Sequence, residues 1–235
     1  MSDPAISAAC FDPQSDTHAV LRSGMGIIFR GESPDIVDEP PELARTGTGW
    51  QARSAGALEL AFEPIAEEGR LGGSKARLCR VRGRVAQTAL DCLGTVTETR
   101  RAPVWDELDA TRSISAIFDP GHAVTLFARR PRGAGGHGEE ELTGWLLEDG
   151  VLHELEDVRL STIYDGDGRQ RSAGLELWVP GEDFPRRLAG QARAGLSLAL
   201  EGLLVHAAVF GWRMEGREGV GAYELTVRDR GGAAA

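Results

Sequence analysis

The chain has 235 residues, 41% of them hydrophobic, and a net charge of −10 from 36 acidic and 26 basic residues. That balance argues against nucleic acid as the main partner, since phosphate binding needs a basic field, and against docking on anionic membranes. A chain of this length buries roughly 70–75% of its unfolded surface, which leaves little room for disorder away from the ends.

Three cysteines, Cys10, Cys79 and Cys92, show no Cys-x-x-Cys spacing and fit a reducing compartment better than a disulfide framework. The first residues lack a basic segment followed by an apolar one, so no signal peptide is read there, and no apolar run approaches the ~20 residues of a membrane helix. The expected location is cytoplasmic. Lys75 is the only lysine, a composition bias that puts nearly all positive charge on arginine.

In chain order, Pro34 to Pro41 is acidic and proline-rich and reads as a surface loop. Leu58, Leu60 and Phe62 then alternate with Glu59, Ala61 and Glu63, the pattern of a strand with one buried face. Arg80, Arg82 and Arg84 alternate with Cys79, Val81 and Val85; their face is either solvated or a polar wall inside a barrel. Trp105 to Thr111, preceded by Pro103, is the best helix candidate, a turn or two long.

Beyond it the runs Ser113–Phe118 and Ala123–Ala128 flank Asp119-Pro-Gly121, and Leu142–Leu147 and Val151–Leu155 flank Glu148-Asp-Gly150. Arg132 to Glu141 between them is glycine-rich, then acidic, and reads as a loop. Val158–Tyr164 and Arg171–Val179 flank Asp165-Gly-Asp-Gly168, and Ala194–Leu200 and Leu203–Phe210 flank Glu201-Gly202. In the tail, Ala207 to Met214 and Val220 to Val227 flank Glu215-Gly-Arg-Glu-Gly219, and Gly231 to Ala235 reads as a frayed end.

These turns favour residues that accept positive φ, so the runs pair as hairpins. Connections are too short for crossover helices, which makes the sheet antiparallel. The pattern predicts an all-β protein of about ten to thirteen strands, more than a simple eight-stranded barrel uses. No internal repeat is visible.

Nucleotide, zinc-protease and nucleophile-elbow fingerprints are absent. Gly195-Leu-Ser-Leu-Ala199 lies inside a strand, not at a strand-to-helix turn. Asp165-Gly-Asp-Gly168 lacks the third acidic ligand and the final glutamate of a calcium loop. No two of the five histidines are spaced as a metal pair; His122 and His153 sit in or beside turns and read as solvated. His206 lies in a strand apolar on both faces, either a satisfied buried histidine or a cavity-lining acid–base group. Glu98, Asp106, Glu215, Glu218 and Glu224 are the carboxylates considered for proton transfer, which needs burial to raise a pKa. Glu215 and Glu218 flank a turn and read as solvated, whereas Trp212 shares a face with Phe210 and Met214.

Cys79-Arg-Val-Arg-Gly-Arg-Val85, Gly94 to Trp105, Pro131-Arg-Gly-Ala-Gly-Gly-His137, Leu160 to Arg171 and Trp212 to Gly221 together resemble one family. It is the lipocalin-like superfamily of carotenoid hydratases (hydroxyneurosporene synthase type), AttH-like proteins and Diels–Alderases, above all its uncharacterised bacterial members. The resemblance covers roughly the last two-thirds of the chain. It implies an antiparallel meander forming two packed lipocalin-like barrels or lobes, here 1–104 (shortened) and 105–235. It also implies a small apolar ligand, isoprenoid- or polyketide-like, and acid–base hydration, isomerisation or cyclisation with no metal and no other cofactor.

Carried onto this chain, the resemblance points to Glu98 as proton donor, Arg100 as its electrostatic partner and Trp105 as the π-face that steadies a cation. His137, His206 and Trp212 are further ligand-lining candidates. Family members carry a histidine near Glu98 and a Trp-Gly pair near Arg100-Arg101. A non-catalytic carrier of a lipid-like ligand, and an interaction scaffold with a filled core, fit the same residues.

Overall fold

The computed structural model describes residues 3–135 and 137–228, with the His137 side chain left out. Nineteen strands and one 3-10 turn, His137–Glu139, are present among the described residues. The first sheet contains β1 (Ala5–Asp12), β2 (Thr17–Arg22), β3 (Met25–Arg30), β4 (Ser33–Ile36), β5 (Glu42–Thr46), β6 (Gly49–Ser54), β7 (Leu58–Pro64), β8 (Gly69–Leu71), β9 (Ser74–Val85) and β10 (Thr88–Thr99). The second contains β11 (Leu108–Asp119), β12 (His122–Pro131), β13 (Glu141–Glu148), β14 (Val151–Glu154), β15 (Asp157–Tyr164), β16 (Gln170–Trp178), β17 (Arg186–Leu200), β18 (Leu203–Met214) and β19 (Arg217–Arg228). The protein is all-β, with two curled antiparallel sheets packed together as lipocalin-like half-barrels.

Both sheets follow one path. The order is β4-β3-β2-β1-β10-β9-β7-β6-β5 in the first, with β8 beside β9, and β14-β13-β12-β11-β19-β18-β17-β16-β15 in the second. In each, four strands run outward to one edge. The chain then crosses to the other edge and returns until its last strand pairs with its first. No sequence repeat announces this architectural repeat, because hydrogen-bonded register depends on backbone pairing and not on side-chain identity.

Strand number exceeds the expectation mainly at the N-terminus. Ala8 to Phe11 and Met25 to Phe29 are buried at every position, so they lack the alternation that marks a half-exposed strand. Trp105 to Thr111 is not helical. The Glu107 amide donates to the Val104 carbonyl at 2.9 Å to close a turn, and β11 begins at Leu108. Within Pro34 to Pro41, expected as loop, Pro34 sits in edge strand β4 opposite Phe29, where a missing N–H is tolerated.

The predicted hairpin turns hold. Glu215-Gly216, Glu201-Gly202 and Asp149-Gly150 each place both central residues at positive φ, 50° and 81°, 51° and 77°, and 49° and 78° respectively. That is the type I′ geometry whose twist matches the strands. Paired strands therefore run right up to the turn, and the tail loop is two residues long instead of five.

Alternation along β1 and β18 divides the core into three layers. Ala8, Cys10, Trp50, Leu60 and Val81 fill the interior of the first sheet; Ala208, Phe210, Trp212, Met214 and Tyr223 fill that of the second. The intervening positions form a seam between the sheets. Phe11, Ile27, Phe29, Leu71 and Leu78 from one sheet meet Trp145, Leu147, Val205, Val209 and Val220 from the other.

At one end of the seam, the Trp145 indole lies directly on Gly69, where a Cβ would overlap the ring. At the mouth of the second interior, Arg112 donates to both Glu140 oxygens at 2.8 Å, to Tyr164 Oη at 2.6 Å and to Tyr223 Oη at 2.9 Å. Burial works against the Arg112 charge, but bidentate pairing with Glu140 outweighs it and the guanidinium pKa rises. Burial also pushes the Tyr223 hydroxyl up to about 12.

Two outcomes test this frame. Trp145→Ala should lower stability by about 3–5 kcal/mol, read as a fall in the urea midpoint. Trp145→Phe should cost less, because Trp145 Nε1 has no partner among the described residues. Glu140→Ala strands a buried guanidinium and should cost about 3–5 kcal/mol, whereas the paired change Arg112→Met with Glu140→Leu should recover much of it.

Candidate functional site

The strongest concentration of polar groups inside the seam surrounds Glu224. Antiparallel register assembles it. On β19, Glu224 lies opposite Ser113 of β11 and Ala207 of β18, while Ser115 of β11 lies opposite Thr125 of β12. The first sheet faces this patch with Ser7 and Ala9 of β1, paired to Thr97 and Thr95 of β10. Six hydroxyl side chains and one carboxyl thus enclose a cavity of about 30 Å³ between the sheets. That is room for about one water molecule.

Two buried polar atoms at this cavity have no hydrogen-bond partner among the described residues, Glu224 Oε2 and Thr125 Oγ1. The Ser115 hydroxyl accepts the Ala222 amide at 3.1 Å. The nearest cation is Arg22 of β2, whose Nη1 stands 4.0 Å from Glu224 Oε2, too far for a hydrogen bond. Burial raises the Glu224 pKa above the usual carboxylate range, and Arg22 offsets it only in part. The side chain still keeps 18% of its surface accessible. A carboxyl biased toward its neutral acid form and still reachable is the feature a proton donor requires.

The residues singled out from sequence are not gathered there. Glu98 follows Thr97 on β10 and so points the other way, to the mouth of the first sheet's interior. It accepts the Trp50 indole N–H at 2.9 Å and lies 3.7 Å from Arg45 Nε. Arg45 and Arg77 lie 5.7 and 5.6 Å from the centre of the same indole. Arg100 is exposed beyond the end of β10. Trp105 is half-buried in the link between the sheets, its carbonyl accepting Arg228 Nε at 2.7 Å, beside Glu201 to Leu203.

His206 is buried, with Nδ1 2.7 Å from the Ser197 hydroxyl, and burial lowers its pKa. Trp212 is core, stacked on Phe210 with ring centres 5.0 Å apart. The His137 side chain lies outside the described residues.

Other expectations divide. Arg80, Arg82 and Arg84 form a solvated outer face, paired with Asp91, Glu63 and Glu59. His122, expected in solvent, is buried, with Nδ1 2.8 Å from Asp119 and Nε2 3.1 Å from Asp149. Two turns converge on it because the Gly150 amide donates to the Gly121 carbonyl. No group of three or more His, Cys, Asp or Glu side chains is arranged to hold a metal ion among the described residues. No helix is long and apolar enough to cross a membrane among them.

No known family model matches this sequence, and no curated protein matches it. Solved structures do. CghA resembles the chain with a TM-score of 0.67 at 10% identity, over 96% of this chain and 87% of that one. CghA with Sch210972 gives 0.64 at 10% identity, over 97% and 88%. At that identity the likeness establishes a shared fold.

The Glu224 environment has a consequence for stability. Its folded-state pKa is raised, so between the unfolded and folded values the native state binds more protons, and stability falls as pH rises through that window. Glu224→Gln removes the charged form. The variant should be more stable than the parent at pH 8, with the advantage shrinking toward pH 4, as measured by thermal melts across that range. A destabilised variant at pH 8 would instead make the Arg22–Glu224 pair a net stabilising contact.

Proposed function

We propose that the protein binds a small unsaturated apolar molecule, of isoprenoid or polyketide type, at the open edge of the seam, outside the water-sized cavity, and that Glu224 protonates it through its accessible edge. The single observation that carries this reading is the inward-facing carboxyl with a raised pKa beside a water-sized, hydroxyl-lined cavity. CghA, which shares the fold, has been crystallised with Sch210972, and that supports a ligand-binding role for the scaffold.

The chemistry balances without an external reactant other than water. Neutral Glu224 transfers its proton to a carbon–carbon double bond and becomes a carboxylate. A water molecule held by the Thr125 and Ser115 hydroxyls adds to the cation and returns a proton to Glu224, so the net change is addition of water. Where no water adds, loss of a neighbouring proton to the carboxylate moves the double bond instead. A general acid of this kind contributes typically 10²–10⁴-fold in rate.

The test uses the full chain with a panel of conjugated polyenes and isoprenoid alkenes in deuterium oxide, read by mass spectrometry. Deuterium should enter a product or the recovered alkene, and Glu224→Gln should lose at least about 100-fold of that rate while its thermal melt stays cooperative. No incorporation from any member of the panel, or equal rates in the variant, would overturn the reading. Loss with Glu98→Gln but not with Glu224→Gln would move the acid to the interior of the first sheet.

A further inference from the structure

A second titratable group lies in the seam and has no part in the chemistry assigned to Glu224. His18 of β2 stands opposite Phe11 of β1 and Phe29 of β3 and shares a face with Val20, so its imidazole points between the sheets. The residue is 1% exposed, and its ring centre lies 5.9 Å from that of Phe11. Phe11 in turn walls a cavity of about 180 Å³ at this end of the seam, together with Leu93, Ile117 and Val220.

The surroundings of the ring suit a neutral imidazole. Nε2 lies 3.3 Å from Asp16 Oδ1 and donates its proton there, which leaves Nδ1 as a buried lone pair with no partner among the described residues. A second proton would make Nδ1 a buried donor that faces no acceptor. Three charged groups act on the ring. Asp16 attracts the proton, but its carboxylate is 58% exposed and screened by solvent. Asp12, at the end of β1, spends its oxygens on the Gln14 amide at 3.1 Å and the Ser15 hydroxyl at 2.6 Å. Arg193, from β17 of the second sheet, repels a charge on the ring.

Burial is the largest influence, and it outweighs Asp16 and holds the His18 pKa below the ordinary histidine value. The ring therefore takes up a proton most readily when it leaves the seam. Its contribution to closure is complete above the ordinary value of about 6.5 and is lost as pH falls toward the folded value, by up to about 10-fold in the opening equilibrium per pH unit. Glu224 gains its proton on acidification too, but its pKa is raised, so it acts in the opposite sense and favours closure.

We propose that His18 is an acid-released latch: protonation of its ring undocks the β1–β2 hairpin from the second sheet and opens the apolar end of the seam. Hydrogen exchange of the full chain at pH 7.5 and 5.0, expressed as protection relative to the free peptide so that intrinsic rates cancel, tests it. Protection over residues 11–22 should fall roughly 10-fold or more at pH 5.0. His18→Gln, which has no basic nitrogen to charge, should show no such fall. His206, the other buried histidine with a lowered pKa, lies on the interior face of the second sheet, so its protonation would loosen β17 and β18 instead. Should His18→Gln fail to fold, His18→Phe replaces it, and the ring 15N titration of His18 in the unmodified protein, expected below about 6.5, needs no variant. Unchanged protection over 11–22 at pH 5.0, an equal fall in the variant, or a His18 ring titrating at or above about 6.5 would each overturn the proposal. Exchange is read without a substrate, so its outcome is independent of catalysis by Glu224.

Discussion

The seam between the two sheets is the constraint from which the other features follow. Each sheet encloses an apolar interior on one face and is pressed against its partner on the other. Strands at the seam are therefore buried on both sides, which is why β3 reads as a nearly unbroken apolar run and why Thr17 and His18 of β2 are buried. Burial at about 25 cal/mol per Å² makes Phe11, Phe29, Trp145 and their neighbours the main force joining the sheets. The same packing turns a patch of serines and threonines, ordinary on a solvated face, into the walls of a desolvated cavity.

Desolvation gives Glu224 its character. A glutamate in the middle of an outer sheet face would be a solvated carboxylate. Covered by β1 and β10, it loses hydration and gains no hydrogen bond at Oε2. Arg22 is present, yet at 4.0 Å it compensates only in part. Arg112 and Glu140 show the opposite solution to the same problem, a buried charge saturated by a bidentate pair and two tyrosines. One cluster is closed and serves as a clamp; the other retains unfilled hydrogen-bonding capacity and an accessible edge, which is why chemistry is assigned to it.

Much of the strand layout was legible. Alternation at Leu58–Phe62 and Leu175–Val179 reads directly as one face in and one face out, and Asp-Gly and Glu-Gly pairs mark the hairpin turns. It also placed Trp212 with Phe210 and Met214 in a core. The reading of Trp105 to Thr111 as helix failed because cross-strand pairing of Ala110 with Arg130 and Val227 overrides local propensity. The candidate cluster from Glu98 to Trp105 is contiguous in sequence and dispersed in space. Glu98 turns inward, Arg100 passes into solvent and Trp105 lies in the link between the sheets, because β10 ends at Thr99 and the chain then runs across to β11 at Leu108.

Residue order alone determined an acidic, antiparallel all-β chain, the positions of its tight turns and, strand by strand, which residues share a face; these are local consequences of side-chain period and of the φ values glycine permits. Tertiary structure decided which face is wet. Glu224 and Thr226 stand on the polar side of β19 in any register, and nothing local distinguishes a polar side facing water from one facing another sheet. Only docking of the first sheet onto the second buries that carboxyl. Only the pairing of β17 with β18 brings Arg193 over Gly211. Both are contacts between residues distant in sequence, set by the packing of whole sheets and the register of strands.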